Sequence, residues 1–280
     1  MNHIFSVATY NIELSKRPEK LVNNIKTIAD RGATAICLQE LLKRDKFIID
    51  MIVSKLGNNW EYEYFIGEEQ DYFAHGCAIL WNNSVLNITN TYRILLPKMN
   101  KLIATDMLLE RIAGFKGLPM QRRCISSTFS FNNKEIRITS LHLDSMGGSK
   151  QRIKQLSYLL EYLKNSIDVD YEIIAGDFNS FEFHEYKRLQ DIFSKYGFSD
   201  STKSIDYSID VNNIDFSDNG NNSKMYKLAA DIIKKAVMLM NIHYRKKLDY
   251  IWIKGLFPIN SERSNLLGSD HYPLISTITT

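Results

Sequence analysis

Residues 171–179 read Tyr-Glu-Ile-Ile-Ala-Gly-Asp-Phe-Asn, an apolar run that ends on a glycine, a carboxylate and an amide. The apolar centre of this run is typical of a buried β-strand. Asp177 and Asn179 follow where the strand ends, and α/β folds place ligands at that edge of the sheet. Asp-Phe-Asn alone is also compatible with an Asx-type turn. The stretch predicts a core strand that delivers polar side chains to a sheet edge.

Five other apolar strands carry polar residues on their flanks. A lone glutamate there is usually a solvated strand end, and a lone histidine is more often a satisfied core residue. Because strand ends converge on one edge of a sheet, six such sites together predict a polar cleft. Besides Asp177 with Asn179, the candidates are Asn11, Glu40, His142, Asp249, and Asp270 with His271.

The chain alternates strand-like and helix-like segments. Strands are predicted at 4–12, 34–39, 61–67, 76–81, 85–94, 122–131, 135–143, 171–176, 248–253 and 272–279. Helices are predicted at 18–30, 44–56, 149–164 (with Ser149 as N-cap), 183–195 and 224–240, with irregular segments at 95–120 and 203–223. There are more strands than a doubly wound sheet needs, and several neighbours resemble hairpins. This pattern predicts an α/β fold of two mixed sheets packed face to face, with helices outside, in one domain spanning 1–280.

Composition sets broad limits on function. The 44% hydrophobic and 24% charged residues are ordinary for a globular protein, and the net charge of +3 permits a polyanionic partner without requiring one. Three widely spaced cysteines form neither a zinc pair nor a disulfide framework, so we expect buried free thiols in a reducing compartment. Neither a signal peptide nor a run of membrane-spanning length is evident, so we expect a soluble cytoplasmic protein.

The strand-end residues lie within six short motifs, and their order carries more information than any one of them. Together these motifs resemble the signature of the endonuclease/exonuclease/phosphatase superfamily over residues 9–273. The resemblance implies a deoxyribonuclease I-like four-layer α/β/β/α sandwich and metal-dependent hydrolysis of a phosphoester by an activated water. The motifs are Thr9-Tyr10-Asn11-Ile12, Leu38-Gln39-Glu40, Ser140-Leu141-His142-Leu143, Gly176-Asp177-Phe178-Asn179, Leu248-Asp249-Tyr250-Ile251 and Ser269-Asp270-His271-Tyr272-Pro273.

The same resemblance implies a metal site. Four acidic side chains in one cleft repel each other, and a hard divalent cation with oxygen ligands compensates that repulsion. By resemblance Glu40 is the principal Mg²⁺ ligand, assisted by Asn11 and Asp270, and Mn²⁺ can substitute. The ion would act as a Lewis acid on the phosphoryl group.

The remaining motif residues would handle water and phosphate. By resemblance Asp177 orients or deprotonates the attacking water, and Asn179 donates a hydrogen bond to the phosphoryl group. His271 would be a phosphate donor or a proton carrier, held in one tautomer by Asp249. His142 would contact a non-bridging oxygen. The sequence leaves open whether Asp177 or His271 is the general base.

The substrate is less well defined by the sequence. Segments 68–73, 143–145 and 151–156 look most like tyrosyl-DNA phosphodiesterases, which favours a nucleic-acid substrate. Residues 97–123 carry six positive and two negative side chains, compatible with a phosphate backbone or with an ordinary solvated loop. A lipid or inositol-phosphate phosphoesterase, with contact to a membrane surface, and an inactive binding module are the alternatives. The candidate substrate-binding residues are Arg122, Arg123 and Tyr72, although a half-buried strand aromatic is the favoured interpretation of Tyr72.

Overall fold

The computed structural model describes residues 3–42, 45–67, 75–100, 121–182, 184–210 and 245–280. The helices in these ranges are α1 (Pro18–Asp30), α2 (Lys46–Leu56), α3 (Gly148–Lys164) and α4 (Glu185–Lys195). The strands are β1 (Ile4–Asn11), β2 (Ala33–Leu41), β3 (Trp60–Phe65), β4 (Gly76–Asn82), β5 (Asn87–Leu95), β6 (Arg123–Phe131), β7 (Lys134–His142), β8 (Tyr171–Asp177), β9 (Ser199–Asp200), β10 (Ile209–Asp210), β11 (Arg245–Lys246), β12 (Asp249–Lys254), β13 (Phe257–Arg263) and β14 (Leu274–Thr279).

Two six-stranded sheets form the centre of the fold. Their strand orders are β13-β14-β1-β2-β4-β3 and β5-β6-β7-β8-β12-β9. Both sheets are mixed, because the β1–β2 and β7–β8 pairs are parallel and their neighbours are antiparallel. A separate pair, β10 with β11, lies outside them.

In the part of the chain that the structure describes, three apolar clusters hold the layers together. The inner cluster joins the facing sides of the sheets through residues such as Val7, Ile138 and Ile251. A second cluster packs α1 and α2 on the outer face of the first sheet, and a third packs α3 and α4 on the outer face of the second. The helix/sheet/sheet/helix order confirms the predicted sandwich. No helix in the described part of the chain is long and apolar enough to cross a membrane.

The two parallel strand pairs determine where the polar residues meet. Each pair has its carboxyl ends together, with Asn11 beside Gln39 and His142 beside Asp177. The antiparallel strand β12 begins at the same edge, where Asp249 pairs with Asp177. Side chains that are far apart in the sequence are therefore delivered to one edge shared by both sheets.

Several local features differ from the prediction. Ser149 is not the N-cap of α3: the cap is Gly147 in a left-handed conformation, and the Ser149 amide donates to Glu182 Oε1 at 2.5 Å. Strand β13 was not predicted, and it is an exposed edge strand that contains Pro258.

The predicted loop at 203–223 contains β10, and the rest of it beyond 210 lies outside the described residues. The predicted helix at 224–240 also lies outside them, as does most of the irregular segment at 95–120.

Candidate active site

Glu40 lies at a bulge in β2. The pairing register with β4 shifts between Gln39 and Leu41, and Glu40 has a φ of 65°. A bulge with a left-handed residue re-aims a side chain that regular alternation would direct elsewhere. Below it, the buried Gln39 amide accepts from Thr9 Oγ1 at 3.2 Å and donates to Ser140 Oγ at 3.1 Å. Gln39 therefore joins the two sheets directly under the cleft.

Asp177 depends on the glycine before it. A Cβ on Gly176 would lie 1.9 Å from the Leu141 carbonyl oxygen, so only glycine allows β7 and β8 to approach this closely. Asp177 Oδ2 then accepts from Asn11 Nδ2 at 2.9 Å, across the two sheets, and Oδ1 accepts from the Asn179 amide at 2.8 Å. The Asp177 carboxylate is thereby held at the centre of the polar cluster.

Asp249 and His271 form a buried pair beside Asp177. His271 Nδ1 is 2.7 Å from Asp249 Oδ2, and His271 Nε2 is 3.8 Å from Asp177 Oδ2. The ring thus presents one nitrogen to each carboxylate. The Ser269 hydroxyl fixes this segment by donating to the Asn11 carbonyl at 2.6 Å and accepting from the His271 amide at 3.1 Å.

Burial and like charge shape the acidity of the cluster. Burial, with repulsion from Asp270, raises the pKa of Glu40 to about 7. Burial, with repulsion from Asp249, raises the pKa of Asp177 to about 6. Burial opposes the imidazolium form of His271, but Asp249, Asp177 and Asp270 outweigh that effect and raise its pKa well above the usual value. The cluster therefore concentrates carboxylates that an added positive charge would stabilise.

The carboxylates at this edge are of the type that binds a hard divalent cation. Glu40 and Asp270 supply carboxylate oxygens close enough to repel each other, and Asn11 donates its Nδ2 to Asp177 Oδ2 at 2.9 Å. The Asn11 Oδ1 faces the Glu13 backbone amide, from which it accepts at 3.1 Å, and keeps a second lone pair. Within the described residues, two groups of acidic and histidine side chains each bring three donor atoms within 4.8 Å of one another, namely Glu40 with His75 and His142, and Asp177 with Asp249 and His271.

A buried arginine lies next to His142. Arg122 is only 2% exposed, and its Nε donates to Asp144 Oδ1 at 2.9 Å. Its Nη1 is 3.3 Å from Nδ1 of both His75 and His142. Burial and the adjacent guanidinium lower the pKa of His75 to about 3 and that of His142 well below its usual value. Both rings are therefore neutral beside the guanidinium.

The three substrate-binding candidates have different surroundings. Arg122 contacts the cluster through His142, as described above. Arg123 lies with its guanidinium 5.8 Å from the centre of the Phe65 ring and donates to the Gln121 carbonyl at 3.0 Å. Tyr72 lies outside the described residues.

Sequence reasoning missed several residues of this site. Glu13 lies in a left-handed turn after β1 and pairs with Lys16 at 2.6 Å, and burial, with repulsion from Asp270, raises its pKa. His75 lies beside Glu40 and His142 and contacts Arg122, and Asp144 is linked to the cleft through Arg122. A lone glutamate or histidine outside a strand-end pattern has no periodicity that would single it out. Asp144 belongs to a segment with family resemblance, which is the one signal that could have pointed to it.

Comparison with known proteins agrees with the fold. The model of the Endonuclease/Exonuclease/phosphatase family matches residues 8–271. A family protein from Bacteroides vulgatus is similar in structure, with a TM-score of 0.69, 14% identity, and 99% of this chain and 98% of that chain covered.

Two further solved structures are similar over almost their whole length. The mannosyl-6-phosphatase of Bacteroides thetaiotaomicron has a TM-score of 0.66 and 16% identity, with 98% of this chain and 99% of that chain covered. TDP2 of D. rerio, complexed with a single-strand DNA product, has a TM-score of 0.62 and 17% identity, with 99% of each chain covered. No curated protein sequence matches the chain. The chain belongs to the endonuclease/exonuclease/phosphatase family of phosphoester hydrolases.

Proposed function

We propose that the protein is a Mg²⁺-dependent phosphodiesterase that hydrolyses a P–O bond of a nucleic acid. One observation carries this proposal: polar side chains from both sheets surround the buried Asp177 carboxylate. Asn11 from the first sheet lies 2.9 Å from it, and His271, paired with Asp249, lies 3.8 Å from it. Glu40 and His142 border the same carboxylate.

Glu40, Asp270 and Asn11 would hold the metal. They combine two carboxylates with an amide oxygen, the ligand type that Mg²⁺ prefers, and Mn²⁺ can substitute. When bound, the ion supplies Lewis-acid stabilisation of charge on the phosphoryl and leaving oxygens. The high pKa of Glu40 and its repulsion by Asp270 support this assignment, because a cation relieves both.

The chain's own residues would position water and phosphate. Asp177 orients the attacking water, and Asp177 or His271 accepts its proton. Asn179 donates one amide hydrogen to the Leu143 carbonyl at 2.9 Å, which leaves the other for a phosphoryl oxygen. His142, held neutral beside Arg122, donates to a non-bridging oxygen. Asp249 fixes the ring of His271 through the Nδ1 contact.

A nucleic acid is the substrate that we favour. A buried guanidinium next to His142 suits a phosphate group, and Arg122 provides one. Arg123 and Tyr72 are further substrate-binding candidates. The structural similarity to D. rerio TDP2, solved with a single-strand DNA product, supports a DNA end as substrate. A 5′-tyrosyl-DNA substrate would place the reaction in DNA repair.

A phosphate ester of a sugar, inositol or lipid is the second candidate. The similarity to the B. thetaiotaomicron mannosyl-6-phosphatase, with a TM-score of 0.66, favours it, because the same catalytic groups would serve a smaller substrate. An inactive binding module is the third, and for that reading Glu40→Ala would leave the biological role intact.

A turnover panel tests these candidates. Wild type, Glu40→Ala and the exposed control Asp170→Asn would be assayed with MgCl₂ on a 5′-phosphotyrosyl oligonucleotide, an abasic duplex, single-stranded DNA, RNA, an inositol phosphate and mannose 6-phosphate. Cleavage of a nucleic acid by wild type and the control, lost in Glu40→Ala, supports the proposal. Phosphate release from the small esters alone would move the assignment to the second candidate. No turnover on any substrate would contradict a hydrolytic role.

A further inference from the structure

Ser208 connects the two segments that carry the Asp249–His271 pair. Its side-chain oxygen accepts hydrogen bonds from the backbone amides of Leu248 at 2.9 Å and Asp249 at 3.1 Å. Its carbonyl oxygen accepts from the Tyr272 amide at 2.7 Å, directly after His271. The residue is fully buried. One serine thus contacts the backbone on both sides of a pair that lies 22 residues apart in sequence.

The start of β12 needs such a partner. Strand β8 runs along one side of β12, beginning at Asp249. On the other side, β9 pairs with β12 only at Trp252 and Ile253. Buried amides that find no acceptor are costly, and a hydroxyl can accept two hydrogen bonds. The Ser208 oxygen supplies the acceptor that β9 does not provide at Leu248 and Asp249.

The backbone of Ser208 is itself anchored. Its amide donates to the Lys246 carbonyl at 2.9 Å, and the next residue, Ile209, forms an isolated bridge with His271. Strand β10 follows at once and pairs with β11, where Arg245 Nε donates to Asp210 Oδ2 at 2.9 Å. Ser208 therefore cannot move without disturbing the backbone on either side of the pair.

We propose that Ser208 is a positioning residue for the Asp249–His271 pair. It does not touch the reacting atoms. It fixes the backbone of Asp249 through its side chain and that of residue 272 through its carbonyl, so that the 2.7 Å contact between carboxylate and ring is set before substrate binds. The expected effect on kcat rests on the proposed function. The expected effect on the position of the His271 ring rests on geometry alone.

The test compares three serine variants. Ser208→Ala removes the acceptor, and Ser208→Cys keeps a larger and weaker one in nearly the same space. Ser126→Ala is the matched control, because Ser126 is equally buried and its hydroxyl bonds Thr139 within the β6–β7 pair. Each protein would be measured for kcat and KM on the substrate found by the panel. Proton NMR would follow the downfield resonance of the His271 Nδ1–H, assigned by its loss in Asp249→Asn.

We expect Ser208→Ala to lower kcat roughly 10- to 100-fold, because small misplacements of a reacting constellation cost about this much. KM should stay within about twofold, since the lost contact acts on the chemical step rather than on binding. The His271 resonance should shift or broaden in Ser208→Ala, change less in Ser208→Cys, and stay unchanged in Ser126→Ala.

Wild-type kcat together with a wild-type His271 resonance in Ser208→Ala would overturn the proposal, and so would a loss of kcat matched by Ser126→Ala. If Ser208→Ala does not fold, Ser208→Cys decides by the same two measurements. If wild type turns over no phosphoester, the proposed function fails. The NMR comparison then still tests the positioning role by itself.

Discussion

His271 Nδ1 lies 2.7 Å from Asp249 Oδ2, in a buried contact between the segment before β14 and the first residue of β12. The contact fixes the ring so that Nε2 lies on the side of Asp177, at 3.8 Å from its carboxylate. A neutral amide in place of Asp249 could not stabilise an imidazolium and would permit the wrong tautomer. The orientation of His271 therefore depends on the charge of one buried carboxylate.

Replacing this carboxylate should impair catalysis. We expect Asp249→Asn to lower kcat by about 10³-fold or more, as loss of the orienting carboxylate does in comparable carboxylate–histidine pairs. Steady-state kinetics with Asp170→Asn as control checks this, because Asp170 pairs with Lys134 at the exposed surface. A nearly neutral Asp249→Asn would show that the pairing has no catalytic role.

The raised pKa of Glu40 makes the metal-free protein less stable above neutral pH. Because burial and Asp270 raise this pKa from 4.5 to about 7, folding favours the protonated form. Stability from this group is fully present below pH 4.5 and is lost as pH rises to 7. We expect Glu40→Gln in EDTA to match wild type near pH 4 and to exceed it by up to about 3 kcal/mol at pH 8. Urea unfolding at both pH values checks this, and a less stable Glu40→Gln at pH 8 would contradict it.

The Arg122–Asp144 pair should contribute to stability because both partners are buried. Gln151 and Gln155 also donate to Asp144 Oδ2, at 3.2 and 2.7 Å, so the carboxylate is fully hydrogen-bonded. Asp144→Ala leaves the guanidinium buried without its counter-charge, and we expect a loss of about 3–5 kcal/mol in the free energy of unfolding.

The matched control for that experiment is again Asp170→Asn. Its pair with Lys134 is solvent-exposed, so we expect a loss of at most about 1 kcal/mol. Denaturant unfolding of both variants makes the comparison. Equal losses in the two variants would mean that burial of the Arg122 pair has no energetic consequence.

The three cysteines should be unreactive in the folded protein. Cys37, Cys77 and Cys124 are free and buried, and burial raises the pKa of each thiol, that of Cys77 to about 12. At pH 8 the reactive thiolate is therefore scarce and shielded. We expect iodoacetamide to modify none of them in native protein and all three in denaturant. The exposed variant Ser84→Cys should add one native label, and rapid native labelling of wild type would contradict the packing.

Much of the fold could be predicted from local pattern. The helix Pro18–Asp30 was predicted at its observed bounds because proline begins it and apolar spacing marks its buried face. The core strands could be predicted because both of their faces are largely apolar. Strand β13 was not, because Phe257 and Ile259 are exposed and Pro258 argues against a strand. An exposed edge strand forms by pairing with the neighbouring strand, and a local sequence pattern does not reveal that pairing.

The site divides in the same way. Residues at strand ends, such as Glu40 and Asp177, could be placed in one cleft, because strand ends meet at a sheet edge. Ser208 and His75 could not be placed there from the sequence, because the tertiary fold determines the contacts that link each of them to the cleft. The bulge that orients Glu40 could not be predicted either, since no sequence pattern marks a glutamate in a left-handed conformation. The roles of these residues remain predictions that kinetics must test.

The most direct test of the central claim is the Mg²⁺ dependence of turnover by wild type and Glu40→Gln. The assay would use the substrate that wild type cleaves fastest, first with EDTA and then with MgCl₂ restored. We expect wild-type turnover to vanish in EDTA and to return with Mg²⁺, and turnover by Glu40→Gln to stay at least about 10³-fold lower at every Mg²⁺ concentration. Full activity of Glu40→Gln, or wild-type activity that persists after complete metal removal, would contradict a hydrolase built around a metal held by Glu40.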